Sequence, residues 1–231
     1  MPAFLALCGH HNSGKTSLGT FLVSSLKQEG YQVAVVKSSK VEDIVTDSPS
    51  KDTWKYREAG AEKVGFFQKD LFTLFSTGLP EKEEKALYAY FLSLFWEEDL
   101  VLFEGFKSFD LLSKLWLVKD EDEVKEILEV KQGLKNLIGF VVKKVETLSW
   151  IKKELPAYKG FLIEQKEEIL TFVKNKIEES REEVLLLVNG KKIPMKSFVE
   201  DALKFPLLGF LKSLKGVPEK VKVVEVKIKL S

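Results

Sequence analysis

The sequence predicts an α/β protein: a mostly parallel sheet with helices on both faces, followed by a small C-terminal β-β-α-β module. Three observations predict it. Short apolar runs alternate with amphipathic helical stretches up to residue 180, the pattern of strands joined by helical crossovers. A glycine-rich loop separates the first strand from the first helix. From residue 184 the texture changes to a turn dipeptide between apolar runs and a late stretch of alternation.

The elements follow in order. Phe4–Cys8 is a buried strand. Leu18, Phe21, Leu22 and Leu26 then share one helical face, so Lys15–Glu29 reads as a helix that Gly30 stops. Val33–Lys37 is the next strand and Asp52–Ala59 the next helix. Lys63–Gln68 and Leu71–Ser76, broken at Lys69-Asp70, read as a local hairpin. Glu81–Glu97, Glu121–Glu129 and Lys166–Ser180 are helical, while Leu100–Glu104, Leu115–Val118 and Leu137–Lys143 are strands. In the tail, Asn189-Gly190 is a strong two-residue turn signal between Val184–Val188 and Lys191–Ile193. Lys196–Lys215 is helical but interrupted by Pro206 and Gly209, and Val224–Leu230 alternates like a half-buried strand. Residues 1–180 thus form one α/β domain and residues 184–231 a separate basic module. So short a module makes a marginal core by itself and is expected to pack on the body or on a second copy.

Composition narrows the class. With 45% hydrophobic residues the chain has material for a full core. No apolar run approaches the ~18 residues of a membrane span, and no basic region precedes the first strand, so neither a span nor a secretory signal is expected. One cysteine allows no internal disulfide, which fits the cytoplasm. Of 36 basic residues only Arg57 and Arg181 are arginine, and Lys and Glu dominate. That bias is a proteome trend of hyperthermophiles, to which low-GC genomes also contribute. The charge is uneven: residues 184–231 hold ten Lys against four acids, or +6, so a net charge of +1 leaves −5 on residues 1–183.

Residues 9–16 read Gly-His-His-Asn-Ser-Gly-Lys-Thr, the phosphate-loop spacing of a P-loop NTPase, between the strand and the helix that the motif requires. Gly9 and Gly14 let the backbone curl so that N–H groups point inward at phosphate oxygens, and the positive helix end faces the same anion. His10, His11, Asn12, Ser13 and Ser17 complete the wall of the loop. Lys15 reaches the β- and γ-phosphates, and the Thr16 hydroxyl is placed to ligate Mg²⁺. Cys8, His10 and His11 are the chain's entire supply of soft metal ligands, and three ligands within four residues of a tight loop do not surround a zinc ion.

Three further places fall at the carboxyl ends of strands, where an open parallel sheet binds its ligand. Glu104, before Gly105, stands where a Walker B acid holds Mg²⁺. The polar segment after Lys37, with Asp47, Lys51 and Asp52, reads either as a switch gripping the γ-phosphate and metal or as a loop in which Asp52 caps the next helix. Lys144-x-Glu146 follows a late strand as a weak version of a guanine-reading pair, whose carboxylate accepts hydrogen bonds that adenine does not offer.

The blocks Gly9–Thr16, Val35-Val36-Lys37, Asp47-Ser-Pro-Ser-Lys51-Asp52-Thr53-Trp54-Lys-Tyr-Arg57-Glu-Ala-Gly-Ala61 and Leu102-Phe-Glu104-Gly-Phe-Lys107 occur in this order. Together they resemble the molybdopterin-guanine dinucleotide biosynthesis protein B (MobB) family over roughly residues 1–180. The resemblance implies a GTP-binding, typically homodimeric P-loop adaptor. Such a protein assists the guanylyltransferase that joins GMP to molybdenum cofactor, and it hydrolyses GTP slowly. It implies Lys15 and Thr16 on phosphate and Mg²⁺, Asp47, Lys51 and Asp52 in the switch region, and Glu104 as the Walker B acid. Lys37, at the end of the second strand, is counted among the nucleotide contacts, Asp47 among the metal ligands, and Glu104 with Asp52 as the catalytic pair. Two positions depart from the family pattern: Ser38 replaces a His and Ser50 a Gly.

Two rival readings remain. A small-molecule kinase clamps its transferring phosphoryl group with several arginines, which this chain lacks. Nucleic-acid binding through the basic tail needs exposed stacking aromatics, whereas Phe198, Phe205 and Phe210 lie in the segment that supplies the tail's own core. The tail is therefore expected either to dock an acidic partner or a molybdopterin-type cofactor, or to dimerise the chain.

Overall fold

The computed structural model describes residues 1–39, 47–79, 83–129, 135–180, 183–218, 220, 221 and 223–228. The chain begins with β1 (Ala3–Gly9), α1 (Lys15–Gln28), β2 (Val33–Lys37), α2 (Asp52–Glu58), β3 (Lys63–Gln68) and β4 (Leu71–Ser76). It continues through α3 (Glu84–Leu94), β5 (Leu100–Glu104), β6 (Ser113–Val118), α4 (Glu121–Glu129), β7 (Leu137–Val142), α5 (Val145–Glu154), β8 (Lys159–Leu162) and α6 (Lys166–Glu179). The tail holds β9 (Leu187–Val188), β10 (Lys191–Lys192) and α7 (Ser197–Lys212).

All seven residues of β1 are buried, because it runs through the middle of a six-stranded sheet ordered β2-β5-β1-β6-β7-β8. Every pairing in that sheet is parallel. Alternate β1 residues serve opposite faces, as the period of two demands. Leu5 and Leu7 pack with Leu18, Leu22 and Leu26 of α1 and with Ile169 and Val173 of α6. Phe4, Ala6 and Cys8 face the other side, with Phe91 and Leu92 of α3, Val124 of α4 and Ile151 of α5. The expected sheet with helices on both faces is therefore present. Truncating a fully buried side chain such as Leu22 to Ala costs about 2–5 kcal/mol.

Some expectations need correction. Helix α5 and strand β8 were not expected: β8 has only four residues, too few to show a period. Strand β6 begins two residues earlier than expected, at Ser113, because fully buried Lys114 interrupts its apolar run. The β3–β4 hairpin forms as expected but stands outside the main sheet as a separate antiparallel pair. Segment 105–112 joins β5 to β6 without a helix, and its Phe109 and Leu112 join the core on the α3 face.

The tail is less compact than a β-β-α-β module. Asn189 (φ 49°) and Gly190 (φ 74°) make the expected two-residue turn, and the hairpin packs through β10 on α3. Helix α7 runs through Pro206 and Gly209 without a buried residue. The expected strand Val224–Leu230 is not formed over its described part, residues 224–228, where only Val224 is partly covered. Alternation there reflects composition and not a pairing partner. Residues 229 and 230 of that stretch, 40–46 of the segment after Lys37, and 81 and 82 of the third expected helix lie outside the described residues.

Candidate nucleotide site

The site sits where three strands end side by side. Register places Leu7 of β1 and Lys37 of β2 on either side of Glu104 in β5. The chain leaves β1 through Gly9 (φ +146°) and enters α1 through Gly14 (φ +103°). A Cβ at Gly9 would fall 2.6 Å from the Leu117 carbonyl and 2.7 Å from Ser13 Oγ. A Cβ at Gly14 would fall 2.9 Å from Ile163 Cδ1. Both positions therefore require glycine for space as well as for backbone conformation. No side chain caps α1, so the N–H groups of its first turn stay open to an anion. His11, Asn12 and Ser17 are exposed around the loop, and the Ser13 N–H donates to the His10 carbonyl.

Lys15 folds back over this loop. Its Nζ donates to the carbonyls of His10 (2.6 Å) and Gly9 (3.2 Å) and to Ser13 Oγ (3.3 Å). Burial lowers its pKa, Glu104 opposes that shift, and the nearby cations Lys107 and Lys37 add to it. An anion over the loop answers both that excess of positive charge and the open amides.

The Thr16 hydroxyl donates to both Glu104 oxygens, at 3.0 and 3.1 Å, and Lys37 Nζ lies 3.0 Å from Glu104 Oε1. Lys37 is 66% exposed, so its ion pair positions the carboxylate more than it stabilises the fold. The hydroxyl and carboxylate oxygens fit Mg²⁺, which takes one or two protein oxygens and fills its shell with phosphate and water. Four expected site residues, Lys15, Thr16, Lys37 and Glu104, are thus brought together.

Asp47 and Asp52, expected in a switch segment, have their contacts elsewhere. Asp47 is buried, accepting from the Thr53 hydroxyl at 2.9 Å and the Ser48 N–H at 3.0 Å, with Arg57 Nη1 3.5 Å away. Arg57 in turn lies over the rings of Trp54 and Phe75, clasping α2 to the β3–β4 hairpin. The N-cap of α2 is Lys51, with no side-chain cap bond. Asp52 is the first helical residue and pairs with Lys55, so the alternative in which Asp52 caps the helix is not formed. Glu146 lies exposed in the first turn of α5, at the carboxyl end of β7.

Sequence reasoning missed four contributors. Ser38 Oγ accepts from the Phe106 N–H at 3.2 Å and lies 3.4 Å from the Glu104 carbonyl, pinning the turn after Glu104. That turn needs a positive φ at Gly105 (+99°), where a Cβ would collide with Ser38 Oγ. In the sequence Ser38 stands out only as a departure from a family pattern. Glu123 of α4 reaches His10 Nε2 at 3.4 Å, and no local spacing signals such a contact. Ile163 packs on Gly14 from the loop after the unexpected β8. Lys107, near enough to shift Lys15, had a motif but no role. Cys8 beneath the loop is buried, which pushes its thiol up to about 12, so it is a packing residue. A cleft lined by Glu84, Asp110, Lys135 and Asn136 opens at the amino ends of β6 and β7, the opposite end of the sheet.

Residues 4–143 match the family model for molybdopterin guanine dinucleotide synthesis protein B. No curated protein matches the chain. Among solved structures it is similar to Bacillus subtilis MobB, at 20% identity and TM-score 0.58, over 76% of this chain and 98% of that one. It is also similar to a MobB protein homolog from Bacillus stearothermophilus, at 20% identity and TM-score 0.51, over 76% and 97%. A third structure, a molybdopterin-guanine biosynthesis protein B, gives 24% identity and TM-score 0.55 over 75% and 98%. At such identities the three structures show the shared fold, and it is the family model that covers the phosphate loop, Asp47 and Glu104.

Proposed function

The chain belongs to the molybdopterin guanine dinucleotide synthesis protein B family, and on that premise we propose that it is a GTP-binding adaptor with slow hydrolysis. Its role lies in molybdopterin guanine dinucleotide synthesis. The carrying observation is the Thr16–Glu104–Lys37 cluster beside an uncapped helix N-terminus.

In this reading the loop amides and Lys15 bind the β- and γ-phosphates. Lys15 exchanges three neutral acceptors for phosphate oxygens, which are stronger charge-assisted partners. Thr16 and Glu104 hold Mg²⁺, which neutralises phosphate charge when bound. Lys37 holds the Glu104 carboxylate in place. Glu146 is the proposed reader of guanine, while Asp47, Lys51 and Asp52 belong to the segment that responds to the γ-phosphate. The proposed partners are the guanylyltransferase, a molybdopterin-type cofactor and a second copy of the chain, in the cytoplasm. Among the described residues no helix is long and apolar enough to cross a membrane.

The test is competition of GTP against ATP, with and without Mg²⁺, on the wild type and Lys15→Ala. Mg²⁺-dependent preference for GTP, lost in Lys15→Ala, supports the reading. Unchanged GTP affinity in that variant overturns the phosphate-loop assignment, and equal competition by ATP overturns the base preference.

A further inference from the structure

Lys107 carries a charge that no carboxylate matches among the described residues, whereas Lys37 is paired with Glu104. It is half-buried, and its Nζ lies 5.6 Å from the centre of the Trp116 ring. An aromatic face holds a cation more weakly than an anion does. Trp116 stands opposite Cys8 in the β1–β6 register, one residue before the phosphate loop begins. Burial is the main cause that lowers the Lys15 pKa, and of the neighbouring cations Lys107 adds more to that shift than Lys37. Lys107 is therefore close enough to the loop to act on whatever the loop holds.

The backbone that delivers Lys107 is independent evidence. Gly105 and Phe106 have φ of +99° and +53°. Glycine adopts such angles freely, but for a phenylalanine they are costly and persist only where surroundings impose them. Here they are imposed from several sides. The Gly105 N–H donates to the Leu7 carbonyl at 3.0 Å, and Cys8 Sγ donates to the Gly105 carbonyl at 3.2 Å. The Phe106 N–H donates to Ser38 Oγ at 3.2 Å. The Phe106 ring packs edge-on against Phe103 at 5.1 Å and against Phe91 and Phe109 at 6.2 Å. A core ring by itself does not require a left-handed backbone. The turn does tie the chain leaving β5 to the end of β1, and so keeps Lys107 against the loop.

Strand order gives the direction of the ligand. Glu146, the proposed reader of the base, follows β7 on one side of β1, and β5 lies on the other side. A nucleotide laid across the loop runs from its base on the β7 side toward β5. Its last phosphate then faces the chain that leaves β5.

We infer that Lys107 leaves the Trp116 ring to bind the terminal phosphate of the nucleotide, and so makes the site distinguish a nucleoside triphosphate from a diphosphate. The inference rests on the phosphate-loop reading above and deepens it. Lys15 and the loop amides serve either nucleotide, and Lys107 serves only the longer one. A cation that binds ground state and transition state equally raises affinity without raising the rate, which agrees with slow turnover.

The test is isothermal titration of the full chain with GTP and with GDP, both with Mg²⁺, on the wild type, Lys107→Met and Lys107→Arg. Lys107→Met is expected to lose about 10- to 100-fold in GTP affinity and to keep its GDP affinity within about two-fold. Lys107→Arg retains a cation and is expected to recover most of the GTP affinity. Circular dichroism checks each fold, and Lys107→Gln replaces Lys107→Met if the apolar side chain disturbs it. Equal losses for GTP and GDP, or unchanged GTP affinity, overturn the inference. The phosphate-loop reading survives either result so long as Lys15→Ala loses both nucleotides. A Lys15→Ala variant that binds both as the wild type does overturns that reading and this inference together.

Discussion

Thr16 and Glu104 stand 88 residues apart in sequence, yet the threonine hydroxyl donates to both oxygens of the glutamate, at 3.1 and 3.0 Å. The first turn of α1 and the end of β5 meet there because β1 and β5 are paired in register up to Leu7 and Glu104. A hydroxyl and a carboxylate held so close at a helix N-terminus form a ready oxygen pair for a hard cation.

Thr16→Val keeps the shape and removes the donor. Mg²⁺-dependent GTP affinity is expected to fall about 10- to 100-fold, as for a lost bond to a charged group. Affinity without Mg²⁺ should move little, and Glu104→Gln should behave alike. Isothermal titration with and without Mg²⁺ checks this; equal losses in both conditions would contradict the metal role.

Turnover is expected on the order of 10⁻³ per second or slower. No glutamine follows the Glu104 strand at a water-positioning point, and Arg57 is engaged with Asp47, Trp54 and Phe75. Single-turnover phosphate release measures it. A purified chain turning over at about one per second would rule out the slow-adaptor reading.

Asp47→Ala should destabilise the chain by about 1–3 kcal/mol, because the Thr53 hydroxyl, the Ser48 amide and Arg57 lose an acceptor. Denaturation without nucleotide reads this clasp separately from any effect on the metal. An unchanged midpoint would show that the Asp47–Arg57 contact contributes nothing to stability.

Lys114 is fully buried, its Nζ donating to the Lys135 carbonyl at 3.1 Å, and burial lowers its pKa below the usual 10.5. The folded state therefore binds fewer protons than the unfolded state just below pH 10.5, and stability rises with pH through that window. Lys15 has the same sign. Lys114→Met should be at least as stable at neutral pH and show a shallower rise up to pH 10.5. Urea midpoints from pH 7 to 10 test it, and an identical slope in the variant would refute the assignment.

The sequence by itself determined what is local or periodic. The phosphate loop is legible because glycine, lysine and threonine at fixed spacing need only a strand before and a helix after. Glu104 is legible because an acid closing an apolar strand has few structural uses. The Asn189-Gly190 turn is legible because two positive φ angles select those residues. Tertiary structure alone decided the rest. Only strand register brings Lys37 and Thr16 onto Glu104, and only the placement of the loop after β8 sets Ile163 against Gly14. The same physics hid Ser38, Glu123 and the buried Lys114, whose partners are far away in sequence. It also undid the expected final strand over its described part: alternation across residues 224–228 records apolar and charged residues in turn, but a strand exists only where another backbone accepts its hydrogen bonds.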